Sequence, residues 1–363
     1  MAPVVGIVAN PVSARDIRRV VANATSLQIA DRANILLRVL AALRACGVRD
    51  VLMMPENGGI RAHVERGLMR ARGNGASGGQ DIYPALHTVS MPVTGTVADT
   101  HRATAEMRRA GVSALVVLGG DGTHRAVAAE CGTVPIAGIS TGTNNAFPEH
   151  REPTITGLAT GLAVTGRVPP HIAFAANKRI DVSLDSGATG ATVTEMALVD
   201  VALVTERYIG ARALWRTENF RELYVTFADP EVIGMSAIAG LLEPVGRDES
   251  GGLMVRLSPN GDGAGDCRRG ITTLNAPIAP GMMARVGVTD WRRMPASVAF
   301  VPEVTAGSVA LDGERELSFS ERDRLSLTLR DDAFRTVNVA AVMRHAGQNR
   351  LLTGTPVPVA AAF

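Results

Sequence analysis

Residues 113–130 read SALVVLGGDGTHRAVAAE. Ala114–Leu118 is a short, wholly apolar run, which suits a strand buried on both faces of a parallel sheet. It leads directly into Gly119, Gly120 and Gly122, with Asp121 set among them, and then through Thr123 into a helical stretch reaching Ala129. Glycines let the backbone turn tightly and leave room for a ligand to approach the amides. A helix start adds free N–H groups and the positive end of its dipole, a ready anion site. The spacing puts Asp121 at the tip of a central strand, where α/β sheets bind ligands. Beside bound phosphates, a carboxylate there can hold Mg²⁺ or accept the proton of an attacking hydroxyl. The alternative is a tight strand-to-helix turn in which Asp121 merely caps the helix.

The same punctuation recurs on either side. Val4–Ala9 is an apolar run ending at Asn10-Pro11, and a helical stretch follows from about residue 15 to 45, broken near Ser26. Further strands are expected at Asp50–Met54, Leu86–Val93 and Val134–Ile139, with helices near 60–72, 97–109 and 155–164. Strands alternating with helices predict a parallel sheet covered on both sides. The loop after Val134–Ile139 is STGTNN, Ser140–Asn145. Its uncharged hydroxyls and amides suit ribose, adenine or phosphate oxygens, although loops are rich in these residues anyway. Sequential parallel strands are often neighbours, so the two loops are expected to share one cleft. Asn10 and Ser13 offer a third set of contacts, but Asn-Pro is also a common turn starter.

After about residue 168 the texture changes. Pro169-Pro170 marks a junction, and apolar residues then alternate with period two, as in Ile180, Val182 and Leu184 or Leu325, Leu327 and Leu329. Ala197–Val204, Leu223–Phe227, Met254–Leu257, Arg285–Val288 and Val298–Val301 also read as strands, with one helix around Pro230–Leu242. This half is expected to be an antiparallel β domain. The division is 1–168 for the α/β domain, 169–335 for the β-rich domain, and 336–363 for a C-terminal segment whose return to the first domain stays open. Asp312-Gly313-Glu314 reads locally as a hairpin, because Asp-Gly is a strong turn signal.

Composition narrows the chemistry. The 363 residues are 46% hydrophobic and 20% charged, with a formal net charge of +2. That argues for two packed domains and gives no electrostatic footprint for nucleic acid. Lys178 is the only lysine among 37 basic side chains. It lies in no G-x-x-x-x-G-K-[ST] loop, which excludes a Walker-type nucleotide site. Cys46, Cys131 and Cys267 form no C-x-x-C, which argues against zinc or a disulfide framework. No histidine pair has metal spacing, and G-x-S-x-G is absent, so there is no hydrolase nucleophile elbow. The first residues lack a basic start and long apolar stretch, and no run approaches the ~18 apolar residues of a membrane span. The expectation is a soluble, cytoplasmic protein; association into homo-oligomers is left open.

On these residues the chain resembles the NAD kinase and diacylglycerol kinase superfamily. The features are Asn10-Pro11 after the first strand, GGDGT at Gly119–Thr123, TGTNNAFP at Thr141–Pro148, and Asp312-Gly313-Glu314, in that order. Within it, the chain is most similar to the ATP-NAD kinase-like acetoin catabolism protein X group, by its length, by ANPVSARDIRR at Ala9–Arg19 and by YIGARALW at Tyr208–Trp215. The resemblance implies a Rossmann-like α/β domain that binds ATP, a β-sandwich-like second domain that binds the acceptor, and an active site between them. It implies Asp121 and Glu314 as catalytic residues, with either as a holder of Mg²⁺. It implies nucleotide contacts from Asn10, Ser13, Gly119, Gly120, Gly122, Thr123, Gly142, Thr143 and Asn144, and acceptor contacts from Asn145 and Asp200. There is one departure. Val199 stands where NAD kinases carry an Asn before the acidic residue, which removes an amide able both to donate and to accept. The implied activity is ATP-dependent phosphorylation of a hydroxyl on NAD or a related small metabolite. A nucleotide sensor without catalysis and a diacylglycerol-type lipid kinase are the alternatives.

Overall fold

Val4–Val8 forms β1, buried from its second residue onward. The computed structural model describes residues 2–11, 27–73, 82–141, 145–206, 219–258 and 272–353. After β1 come α1 (Ile29–Ala45), β2 (Asp50–Met53), α2 (Ile60–Gly73), β3 (Ala85–Thr88), α3 (Val97–Arg109), β4 (Ala114–Gly119), α4 (Asp121–Glu130), β5 (Ile136–Ser140) and α5 (Pro153–Val164). The five strands pair in parallel in the order β3-β2-β1-β4-β5. Both faces are covered, which is why the strands need no polar alternation. In β4, Val116 and Leu118 face a core shared with α1 and α5, while Leu115 and Val117 face a second core with Met107 and Val127. The order reverses at β1, with β2 and β3 on one side and β4 and β5 on the other. The crevice beyond the carboxyl ends of β1 and β4 is therefore the topological switch point.

A short turn of helix, α6 (Pro170–Ala173), then leads into β6 (Phe174–Asp185), β7 (Thr192–Ala197), β8 (Asp200–Val204) and β9 (Phe220–Val225). These are followed by α7 (Met235–Gly240), β10 (Gly252–Leu257), β11 (Thr272–Ala279), β12 (Met282–Met294) and β13 (Ala299–Phe300). The described chain ends with β14 (Gly307–Leu311), β15 (Glu314–Phe319), β16 (Arg324–Val337) and α8 (Val339–Gln348). These strands divide between two sheets. β16 lies parallel beside β5 through Thr336 and Ile136, and carries β6 and then β7 antiparallel on its far side. β13 also pairs with β16, antiparallel, and the remaining seven form an antiparallel sheet, β11-β12-β10-β9-β8-β14-β15. Ile180, Val182, Leu327 and Leu329 from the first sheet pack against Val201, Leu203, Tyr224 and Met254 from the second, giving a sandwich core. The alternate residues Ala202, Leu223, Val225 and Val255 pack on the opposite face with Met235 and Ile238 of α7.

Three expectations from periodicity change. Ala197–Val204 is not one strand: β7 ends at Ala197, β8 begins at Asp200, and the chain crosses from one sheet to the other through Leu198–Val199. The helix expected over 230–242 is confined to Met235–Gly240, because Gly234 before it adopts φ +102 and gives its N–H to the Pro277 carbonyl. The third strand stops at Thr88, short of the expected Val93. The helix expected from residue 15 is described from Ile29 onward; its earlier part lies outside the described residues. Cys46 and Cys131 are buried at helix ends and burial pushes both thiols up, so neither is a poised nucleophile; Cys267 lies outside the described residues. No described helix is long and apolar enough to cross a membrane.

Candidate active site between the two sheets

At the end of β4 the chain turns at Gly120, φ −96 and ψ −170, and α4 starts at Asp121. Asp121 is half-buried, and its carboxylate reaches the loop after β5. Oδ2 accepts the Ala146 N–H at 3.0 Å and Oδ1 the Phe147 N–H at 2.9 Å. The loop after β5 is thereby joined to the GGDGT loop, as the pairing of Gly119 with Ser140 in adjacent strands requires. Asn145 completes the junction, its Nδ2 donating to Ser140 Oγ at 2.9 Å. Two of the three glycines are explained by this packing. A Cβ on Gly119 would lie 2.5 Å from Thr123 Cβ, and one on Gly120 2.7 Å from Asn145 Oδ1, whereas one on Gly122 would meet nothing within 4 Å among the described residues. Gly122 is thus the exposed glycine with open space beside it among the described residues. Thr123 is buried; Ser13, Gly142, Thr143 and Asn144 lie outside the described residues. Asn10 is buried at the end of β1, with Nδ2 donating to the Thr96 carbonyl at 2.9 Å and to Thr100 Oγ1 at 3.1 Å.

His124, next to the glycine turn, is fully buried against Phe147, ring centroids 5.6 Å apart. Nδ1 lies 2.9 Å from the Gly120 carbonyl, so that nitrogen carries the proton. Burial pulls its pKa down to about 4, and Nε2 has no hydrogen-bond partner among the described residues. It is a neutral packing residue that holds the start of α4, and it does not line the cleft.

The opposite wall comes from the second sheet. β14 and β15 form a hairpin in which Leu311 pairs with Glu314, and Asp312 and Gly313 make the turn with φ +51 and +82. The Asp312 carboxylate folds back onto the sheet crossing and accepts the N–H groups of Leu198 (3.0 Å), Val199 (2.8 Å) and Asp200 (3.3 Å). These bonds replace the ladder partners that the crossing residues lack. Arg125 of α4 reaches over from the first domain, with Nη1 donating to the Leu311 carbonyl at 3.0 Å and Nε 3.9 Å from Asp312 Oδ2. Burial pushes the Asp312 carboxyl up from its ordinary value, against the opposing pull of Arg125 and the three amides.

Asp121, Asp200, Asp312 and Gly313 line one narrow, open cleft, with Ile233, Met235 and Ile278 as an apolar wall. Glu314 begins β15 and is not among the lining residues. Val199 contributes to the lining but is buried with Phe147 and Phe227. Mg²⁺ is usually held by one or two carboxylates together with substrate phosphates. Asp121 and Asp200, two hard-oxygen donors facing one cleft, fit that pattern; no cage of three or more acidic, His or Cys side chains exists among the described residues. Two arginines that sequence reasoning did not select enclose the site, Arg125 and Arg247. The guanidinium of Arg247 donates to the carbonyls of Phe147 (3.1 Å) and Ala146, and stacks 4.0 Å above the Phe227 ring. Arg125 follows GGDGT by two residues and could have been found by that proximity. Arg247 has no local signal.

Residues 5–167 match the model of the ATP-NAD kinase N-terminal domain, and residues 178–332 match that of the acetoin catabolism protein X C-terminal domain. Over 360 residues, 99% of this chain and 97% of the other, the sequence is 55% identical to acetoin catabolism protein X of Cupriavidus necator. The chain belongs to the acetoin catabolism protein X family. Its N-terminal half is a kinase-type domain of the ATP-NAD kinase class. The crystal structure of yeast NADH kinase complexed with NADH aligns with 99% of the chain and 89% of its own length, at 13% identity and a TM-score of 0.45. The two family domains meet at this cleft, with Asp121 from the first and Asp200 and Asp312 from the second.

Proposed function

We propose that this member of the acetoin catabolism protein X family is a phosphotransferase that moves the γ-phosphoryl of ATP to a hydroxyl of NAD or a related small metabolite. The observation that carries the reading is the placement of Asp121. Its carboxylate stands at the end of the central strand, at the switch point, held by two backbone N–H groups and facing Asp200 across the cleft. A carboxylate so placed can accept the proton of an attacking hydroxyl. The nucleotide phosphates approach the open side of Gly122 and the start of α4, where the helix dipole favours anions. The acceptor hydroxyl sits between Asp121 and Asp200 with its carbon skeleton on Ile233, Met235 and Ile278. Its oxygen bonds to the γ-phosphorus, the bond to the β-phosphate oxygen breaks, ADP leaves, and the hydroxyl proton passes to Asp121. Bound Mg²⁺ supplies positive charge to the phosphate oxygens. For the rest, the chain's own contribution is positioning and electrostatics.

Binding without turnover is the second reading, and Val199 favours it, because a buried apolar side chain stands where an amide would address a dinucleotide. Calorimetry with ATP and with NAD, run beside an assay of ADP formation over a panel of hydroxyl compounds, separates the two. Saturable ATP binding with acceptor-dependent ADP release is expected. Tight binding of either with no product from any acceptor would favour the sensor, and binding of neither ATP nor NAD would refute both.

A further inference from the structure

The Ala146–Phe147 peptide group is held at both ends by charged side chains from different domains. Its N–H, that of Phe147, donates to Asp121 Oδ1 at 2.9 Å. Its C=O, that of Ala146, accepts from Arg247 Nη2. The order is guanidinium, carbonyl, amide N–H, carboxylate, so the peptide dipole lies between a cation and an anion of the sign it prefers at each end. Hydrogen bonds linked in this way polarise one another and strengthen. Nη1 of the same fork takes the next carbonyl, that of Phe147, at 3.1 Å, while the Ala146 N–H takes the other carboxylate oxygen at 3.0 Å. Two consecutive residues are therefore gripped by Arg247 through their carbonyls and by Asp121 through their amides.

Arg247 is itself fixed. Its plane stacks on Phe227 at 4.0 Å and lies 5.7 Å from the Phe147 ring centroid. The loop that carries it is anchored by the buried side chain of Lys178, the only lysine of the chain. Lys178 Nζ donates to the carbonyls of Gly246, Glu249 and Gly251 at 2.8, 2.7 and 2.8 Å. The residues on either side of Arg247 thus have little freedom to drift.

We infer that Arg247 is a positioning residue that orients the Asp121 carboxylate in the cleft through the Ala146–Phe147 peptide group, with Lys178 as its anchor. The catalytic part of the inference rests on the phosphotransfer reading; the mechanical part does not. Lysine would keep the charge but lose the planar two-nitrogen fork that takes both carbonyls while stacking on Phe227.

The test combines kinetics with an unfolding cycle on the full chain. Arg247→Ala is expected to lower kcat about 100-fold, the scale of a misplaced reacting group, while KM for ATP stays within about twofold. Arg247→Lys keeps the charge and is expected to recover no more than about a tenth of wild-type turnover. In an Asp121→Asn background, Arg247→Lys is expected to cause no further loss. In thermal unfolding, Arg247→Lys and Asp121→Asn together should cost clearly less than the sum of the single losses, since both act on one peptide segment. A rise in KM with unchanged kcat, or full turnover in Arg247→Lys, overturns the catalytic part. Strictly additive unfolding losses overturn the clamp. If no acceptor is ever phosphorylated, the phosphotransfer reading and with it the catalytic part fall, and the unfolding cycle still decides the clamp.

Discussion

Acidification should weaken the fold through His124. The ring is fully buried, gives its Nδ1 proton to the Gly120 carbonyl and packs on Phe147. Burial lowers its pKa from 6.5 to about 4. In the unfolded chain the ordinary value applies, so between these limits the unfolded state binds more protons and stability rises with pH. The contribution is complete above about pH 6.5 and is lost as pH falls towards 4. At ~1.4 kcal/mol per pH unit the displacement amounts to about 3 kcal/mol in total and about 2 kcal/mol by pH 5. His124→Asn is the control, because an amide nitrogen placed near Nδ1 keeps the donor to Gly120 and does not titrate. Unfolding free energies from urea titrations of both proteins between pH 7 and 5 should diverge by about 2 kcal/mol, the wild type falling more steeply. Parallel profiles would show that the imidazole is hydrated or paired in solution, and the account of how the start of α4 is held would be wrong.

Other expectations concern the cleft and its walls. Asp121→Asn should fold, yet lose about 10²–10⁴-fold in turnover as a general base is removed; wild-type turnover in that variant would remove Asp121 from the chemistry. Gly119→Ala forces a Cβ to 2.5 Å from Thr123 and should destabilise the chain by about 1–3 kcal/mol, read as a lower melting temperature. Gly122→Ala meets nothing within 4 Å among the described residues and should leave stability unchanged or raise it by up to about 1 kcal/mol. If phosphates approach there it should weaken ATP binding in calorimetry, and equal ATP affinity would place the phosphates elsewhere. Asp312→Asn turns an amide toward three converging N–H groups and should cost about 3 kcal/mol in urea unfolding. An unchanged midpoint would mean that the sheet crossing stands without that carboxylate.

The parallel half was readable because its strands are short apolar runs buried on both sides. Val4–Val8 and Ala114–Gly119 announce themselves without any partner being known, and the glycine turn after β4 marks the helix that follows. The antiparallel half was readable in its period but not in its division. Nothing in Ala197–Val204 shows that the strand breaks, since the group capturing the freed amides, Asp312, lies 113 positions from Val199. The turn chemistry of Asp312-Gly313 was legible as a hairpin. Its consequence was not, because nothing local shows that the Asp312 carboxylate turns back to take the amides of Leu198, Val199 and Asp200. Asp121 could be placed at a strand tip from spacing alone, but its two amide partners come from a loop 25 and 26 residues onward. The solitary Lys178 stands out in the sequence for its rarity, and only the fold reveals three carbonyls converging on it.

β16 has a consequence for how the chain matures. This strand of 14 residues borders β5 at one end and supports β6 along most of its length. Val337, Val339, Val342 and Ala346, on and just after it, fill places in the core beneath α1 and α5. Those places stay vacant while the ribosome is still making the β-rich half. The nascent amino-terminal layer therefore leaves the exit tunnel with an open seam and an unpaired strand border, and it is sealed only when residues near position 346 emerge. Chaperone dependence during synthesis, and failure of fragments cut near residue 168, are what such late closure entails.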